Sequence, residues 1–453
     1  MTTFYDQLAE SLNKKLTVGR ARLSEYPVLI EAALMIKIIA AEANAELGFL
    51  DPQKACGIIS ASRALMSAPK NDWDVPMLRI LGAPLNLIVS KKIIDKSLSN
   101  GISITEQEIN LNQAESDIGV AILMLTVENS AHPLLSSTER FIQLLKDKSY
   151  ELSDMIKTAR THLRDGLPVN LGDEFKAFAA QLSKDKAMIQ RTLGLFNEAT
   201  FGLGEFGTGL GSCQSFGEIA NKKLERVIAR KLQHSDSPIA DLDCTNALLM
   251  IHCSIQALAL TLWKIAHNLG LMCSGPRGGI REIAFPAVAP GSSIMPGKVN
   301  PTVAEMVMLV ADKVISNQWA TTLGTHSGWL SYSGVSTLPI KSVMDSCDLL
   351  ARSMDVFSNK VIKGIVPFSN RSQKQAEESL MIAKVLEYFC PIETVHAVIQ
   401  LAEQENISCK EAAEKLQVLP TSMIDDIFNV KNLSNRCVVE MLLNRYAEKR
   451  LHL

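Results

Sequence analysis

The run GSSIMPGKVNP, from Gly291 to Pro301, gathers two hydroxyl side chains, two glycines, a lysine and an asparagine within eleven positions. That composition suits a loop that does chemistry better than a helix core. Gly291 and Gly297 permit tight turns that aim backbone N–H groups inward. Ser292 or Ser293 could then remove a proton if its alkoxide were stabilised by those donors and by Lys298. A second run, TARTHLRDGLP, carries Thr161 and His162, and a histidine standing alone reads as a satisfied core residue. A literal GxGxxG stands at Gly202, Gly204 and Gly207, but the preceding IQRTLGLFNEATF reads as helix rather than strand. A glycine loop therefore explains it better than a dinucleotide site.

Long helices have to position these loops. Pro27 near the start and Gly48 just past the end bracket an apolar run, matching helix start and stop chemistry. Similar periodic stretches cover 117–128, 137–161, 173–198, 217–233, 245–270, 302–322 and 340–362, and alternating strands are scarce. Gly- and Ser-rich segments at 202–216, 275–297 and 324–336 join them. After about residue 366, shorter helices separated by polar or Pro-containing turns suggest a small C-terminal domain. The expected fold is all-α, with an N-terminal helical domain over 1–112, a central long-helix bundle over 113–366 and a C-terminal domain over 367–453.

Composition excludes several function classes. Lys plus Arg number 46 against 48 Asp plus Glu, so no broad basic field exists to hold nucleic acid. The nine cysteines are odd in number, scattered and never in a CxxC pair, which argues against a disulfide framework and a zinc site. The N-terminal MTTFYDQLAESLNKKL has no apolar h-region, so a cytoplasmic location is expected. Thr245 to Trp263 carries no formal charge, yet Asn246, His252, Ser254 and Gln256 interrupt it. It reads as a helix buried in a protein bundle rather than in a membrane.

GSSIMPGKVNP matches the GSSxMPxKxNP signature of the fumarase/aspartase superfamily, and the resemblance runs over about residues 16–430. LTVGRARLSEYPVLIEAALMIKIIAAEANAELGFL resembles its first long helix, TARTHLRDGLPVNLGDEF its Arg-Thr-His segment, and SGPRGGIREIAFPAVAP its lead-in to the loop. The resemblance implies a three-domain helical fold in a homotetramer, with each pocket drawn from three chains and no metal or organic cofactor. It implies that Ser292, in the loop it shares with Ser293, removes the proton beside a carboxylate, and that Lys298 and Asn300 bind and stabilise that carboxylate. Thr161 and His162 would lie near the substrate, and Glu305 would orient that histidine from a second chain.

Three substrate-facing segments depart from the class II fumarase and aspartate ammonia-lyase pattern. The family's Ser-Gly-Thr loop is here Gly82, Ala83, Pro84 and Leu85. Its Gln-Ser-Ser-Asn-Asp becomes Gln113, Ala114, Glu115, Ser116 and Asp117, and its Gly-Thr-Ala-Val-Gly-Thr-Gly becomes Leu203 to Gly209 with Glu205 inside. Hydroxyl donors are lost and acids gained, and an ionised Glu accepts only and repels a carboxylate at close range. Glu115, Ser116 and Glu205 are therefore read as lining the site, the acids facing a cationic or donor-rich part of the substrate, such as an amine or guanidine leaving group. The alternative is that the acids turn away or pair with Arg281. Three functions follow: a lyase that cleaves C–N by β-elimination from a succinyl-type carboxylate, a fumarate hydratase with unusual loops, or a non-catalytic structural relative.

Overall fold

The structure is a computed structural model that describes residues 22–73, 83–198, 201–233, 237–288, 291, 294–326 and 337–449. The principal helices are α1 Pro27–Glu46, α2 Pro52–Ser67, α3 Ala83–Ser99 and α4 Glu115–Glu151. A hairpin of β1 Ile156–Thr161 and β2 Arg164–Asn170 follows, then α5 Leu171–Leu193, α6 Gln214–Ile228 and α7 Thr245–Met272. Next come β3 Ile283–Ala284, α8 Thr302–Thr325, α9 Thr337–Lys360 and β4 Val366–Pro367. The shorter helices α10 Ser369–Glu378, α11 Ile392–Glu405, α12 Cys409–Lys415, α13 Thr421–Ile427 and α14 Arg436–Arg445 complete the chain.

Helix α1 shows why these segments fold as they do. Pro27 occupies its first turn, where a missing N–H is harmless, and Gly48 adopts φ +75° beyond its end. The Phe49 N–H then reaches back to the Asn44 carbonyl at 2.9 Å. Leu29, Ile30, Leu34, Ile36 and Ile38 are buried, and so are Lys37 and Asn44. Those two polar residues stand seven apart, on one face of the helix. Lys37 Nζ donates to Asn110 Oδ1 at 2.6 Å and to Gln113 Oε1 at 2.8 Å, and Asn44 Nδ2 donates to the Leu111 carbonyl at 2.9 Å. A buried polar face of α1 thus sets the turn that feeds α4.

Two expectations need correction. The stretches 117–128 and 137–161 are not separate helices: α4 runs unbroken from Glu115 to Glu151 with Pro133 inside it. Residues 156–161 are not helical but form β1, paired antiparallel with β2. Lys157 and Thr158, which fall inside the periodic stretch 137–161, are instead buried polar members of that strand.

The chain divides into two compact units, Met1–Ser137 with Lys184–Leu260 and Val310–Arg352, and Thr138–Ser183 with Thr261–Leu309 and Ser353–Leu453. In the first, His252 is fully buried, with its ring nitrogens against Thr321 Oγ1 at 2.5 Å and Ser346 Oγ at 3.0 Å, and burial pushes it down to about 4. In the second, the C-terminal helices close over Ile382, Leu386, Val398, Ala412 and Ile424. Helices α4 and α7 are long and apolar enough to span a membrane, but 67% and 56% of their apolar windows are buried inside the protein. All nine cysteines are unpaired.

Candidate active site

In the first unit, the buried polar face of α1 delivers Glu115, Ser116 and Asp117 as the first turn of α4. Asp117 is fully buried, and its Oδ2 accepts the N–H groups of Gly202 at 3.0 Å and Gly204 at 3.2 Å. Gly202 and Gly204 have φ of +88° and +73°, and a Cβ on either would lie within 2.7 Å of backbone or closer. The GxGxxG glycines therefore serve a tight loop, as the sequence reading expected. That loop carries Glu205 towards α4: Ser116 Oγ donates to Glu205 Oε2 at 3.5 Å and accepts the Phe206 N–H at 3.4 Å.

Burial and mutual repulsion act on the acids of this cluster, and the Lys37 ammonium lies within electrostatic reach of Asp117. Partial burial raises the Glu115 carboxyl above its ordinary value, and the neighbouring Glu205 raises it further. Burial pushes Asp117 up to about 7, against the pull of the glycine N–H groups, with Glu205 adding to the rise. Among the described residues neither Glu115 nor Glu205 has an ion-pair partner. Arg281, the other partner considered, donates to the Pro276 carbonyl at 2.9 Å and lies 4.7 Å from the Phe368 ring centroid, both within its own unit. Sequence reading missed the buried Lys37, whose charge burial opposes strongly enough to bring it down to about 7. Its signal was one lysine in an apolar helix.

The second unit holds the hairpin and the signature loop. Thr161 pairs with Arg164, so His162 and Leu163 form a two-residue turn with φ of +54° and +59°. Both lie in the left-handed region that such turns require and that Asn-Gly usually supplies. For a non-glycine residue that conformation costs on the order of 1–3 kcal/mol. Thr161 and His162 are exposed, and Leu163 is 66% exposed. The register shifts between Thr158 and Arg160, and Gly166 lies opposite Ala159, where a Cβ would approach the Ala159 carbonyl to 3.0 Å.

In the signature loop, Ser292 and Ser293 lie outside the described residues. The neck of the loop is described. A Cβ on Gly291 would sit 1.8 Å from the Lys298 carbonyl oxygen, so only glycine permits the two limbs to cross. Asn300 Nδ2 donates to the Gly291 carbonyl at 2.8 Å, and the Lys298 N–H donates to the Met295 carbonyl at 3.2 Å around Gly297, which has φ +81°. Lys298 is exposed at the tip, and Asn300 spends one amide N–H on the neck and keeps the other. Glu305 is exposed on the first turn of α8. Of the substituted first-domain loop, Gly82 lies outside the described residues, α3 begins at Ala83 and Leu85 is buried.

Sequence reasoning also missed a buried ionic cluster beneath the hairpin. Lys157 Nζ lies 2.9 Å from Glu174 Oε1 and 3.2 Å from Glu282 Oε2, and the Arg160 guanidinium pairs with Glu282 Oε1. The only hint was an acid in the apolar run after GPRGGIR.

A family model described as lyase matches residues 5–316. The chain is 30% identical to a class II fumarate hydratase of Thermosynechococcus vestitus over 92% of its length and 91% of the relative. It is 31% identical to an aspartate ammonia-lyase of Pseudomonas canavaninivorans over 91% of its length and 89% of the relative. Among solved structures, a fumarate lyase:delta crystallin of Brucella melitensis superposes with a TM-score of 0.89 at 27% identity, covering 94% of this chain and 95% of that one.

Proposed function

The chain belongs to the fumarase/aspartase superfamily of lyases, with that family's all-α fold, and within it we propose a carbon–nitrogen lyase acting on a succinyl-type carboxylate. The observation that carries the choice is that Glu205 lies against Ser116, the neighbour of Glu115, and that neither acid has an ion-pair partner among the described residues. Two carboxylates this close favour a cationic ligand over a second anion. An amine or guanidine leaving group supplies that charge, whereas water or hydroxide does not.

In the proposed reaction Ser292, in the loop shared with Ser293, takes the proton beside the carboxylate, and Lys298 and Asn300 hold the aci-carboxylate that forms. The C–N bond then breaks, the electron pair of the lost C–H becomes the double bond, and the amine leaves against Glu115, Ser116 and Glu205, in a pocket that the proposed assembly draws from three chains. Thr161 and His162 contact the substrate. No metal or organic cofactor takes part in this scheme, and in reverse it adds an amine to fumarate or a relative.

The same reading has a homotetramer organised as 1–112, 113–366 and 367–453, with Glu305 reaching the histidine of another chain. Supporting it, Glu305, Leu309, Trp319 and Leu323 follow one stripe along α8, and the three apolar residues are 68%, 63% and 62% exposed. A stripe of large apolar side chains in water marks an association surface. The nine unpaired cysteines suit a reducing cytoplasm.

The test is incubation with fumarate and a panel of amines, amino acids or water, with Ser292→Ala as control and products read by mass. Amine adducts that vanish in the control support the reading, malate alone favours a hydratase, and no turnover favours a structural relative. Ordinary fumarase activity gained by Glu115→Ser without loss of amine addition would remove Glu115 from the scheme.

A further inference from the structure

Two charged residues beside the candidate site have no part in the reaction proposed above. Arg160 directly precedes Thr161 and His162, and Glu282 sits in the apolar run REIAF. In the folded chain they meet. Glu282 is fully buried, with Arg160 on one carboxylate oxygen and Lys157 on the other, and Lys157 also reaches Glu174. Glu282 and Lys157 are withdrawn from water, and Arg160 and Glu174 partly so; such burial opposes folding, and apolar residues of similar volume commonly stabilise as well or better. Stability alone therefore leaves the cluster unexplained.

The strain in the neighbouring turn supplies a reason. His162 and Leu163 are both left-handed, and among the described residues no hydrogen bond from either side chain holds them there. The restraint must come from the strands. On β2 it comes from Gly166, whose carbonyl accepts Ser379 Oγ at 3.2 Å. On β1 it comes from Glu282, which grips residues 157 and 160 just before the turn. Glu282 is itself anchored away from the hairpin: its N–H donates to the Met272 carbonyl at 2.9 Å, and its carbonyl accepts the Phe368 N–H at 2.8 Å. A fixed carboxylate thus holds two cations of a strand whose next residues are strained.

We propose that Glu282 is a positioning residue that clamps β1 through Lys157 and Arg160 and so holds His162 in its strained turn. What His162 does there rests on the function proposed above; the clamp does not.

Hydrogen exchange of the full-length protein tests it, with Glu282→Gln, Arg160→Lys and Glu282→Gln/Leu163→Gly beside the wild type. Either single variant is expected to speed exchange across 160–165 by about tenfold or more while the C-terminal helices of the same unit keep their protection. Arg160→Lys keeps the charge and serves should Glu282→Gln not fold. Leu163→Gly relieves the backbone without touching the clamp, since glycine adopts the left-handed region freely, and is expected to return most of the protection. Unchanged exchange in the hairpin overturns the clamp, as does a uniform rise across the unit or a failure of Leu163→Gly to restore it. Turnover of fumarate with an amine is expected to fall in kcat in Glu282→Gln, with KM nearly unchanged, and to recover in the double variant. A wild type without turnover counts against the reaction, while exchange still decides the clamp.

Discussion

Asp117 Oδ2 accepts the Gly202 N–H at 3.0 Å, which ties the first turn of α4 to a loop 85 residues further along. That bond places Glu205 beside Ser116, and it depends on an acid that is wholly buried. Burial raises Asp117 from an ordinary 3.8 to about 7, so between those values the folded chain binds more protons than the unfolded one. Its contribution to stability is then greatest below about pH 4 and falls as pH rises towards 7. Asp117→Asn removes that slope. The stability of the variant relative to the wild type is expected to rise between pH 4 and 7 by on the order of a few kcal/mol. Urea unfolding midpoints across the window check it, and a constant difference refutes it. Lys37, brought down to about 7 from 10.5, has the opposite sign above neutrality, where stability rises with pH.

Glu205→Gln removes one of two neighbouring acids without changing shape. The KM for the amine partner is expected to rise about tenfold, the loss of one charge-assisted contact, while that for fumarate holds or falls. Initial rates with each partner varied separately distinguish this from general damage, in which both rise.

Gly291→Ala puts a methyl where the Lys298 carbonyl already lies. The limbs of the signature loop have to part, moving Lys298 and Asn300 out of register. A misplacement of about 1 Å can cost on the order of a hundredfold in rate. Activity is therefore expected to collapse while the melting temperature changes little, because residues 294–299 of the loop are exposed. Retained activity on a par with the wild type would show that the crossing is dispensable.

Trp319→Glu places a charge in the exposed stripe of α8, where the side chain is 63% exposed in the isolated chain. If that stripe is buried on assembly, the variant should elute as a smaller species by light scattering, with its helical content kept. An unchanged mass rules the stripe out as the contact.

Legibility followed the range of the interactions. Helix α1 is readable because Pro27 and Gly48 act within a turn of themselves, and the signature loop because Asn300 bonds to Gly291 over only nine residues. Helix α4 covers two stretches that periodicity separates, 117–128 and 137–161, because it continues through the intervening residues with Pro133 inside it. Lys157 is not legible as a strand residue because its burial depends on Glu174 and Glu282, which lie far from it along the chain.

By itself the sequence determined the family, the helical class of the fold and the residue types of the base loop, all written in local spacing. Tertiary structure alone decided what those residues face. His162 and Leu163 have no intrinsic taste for the left-handed region, and a partner 122 residues from Arg160 holds the strand before them. Glu115 and Glu205 are two unremarkable acids until Asp117 draws the glycine loop against α4. Charge and strain are properties of neighbours in space, and the chain order does not state who those neighbours are.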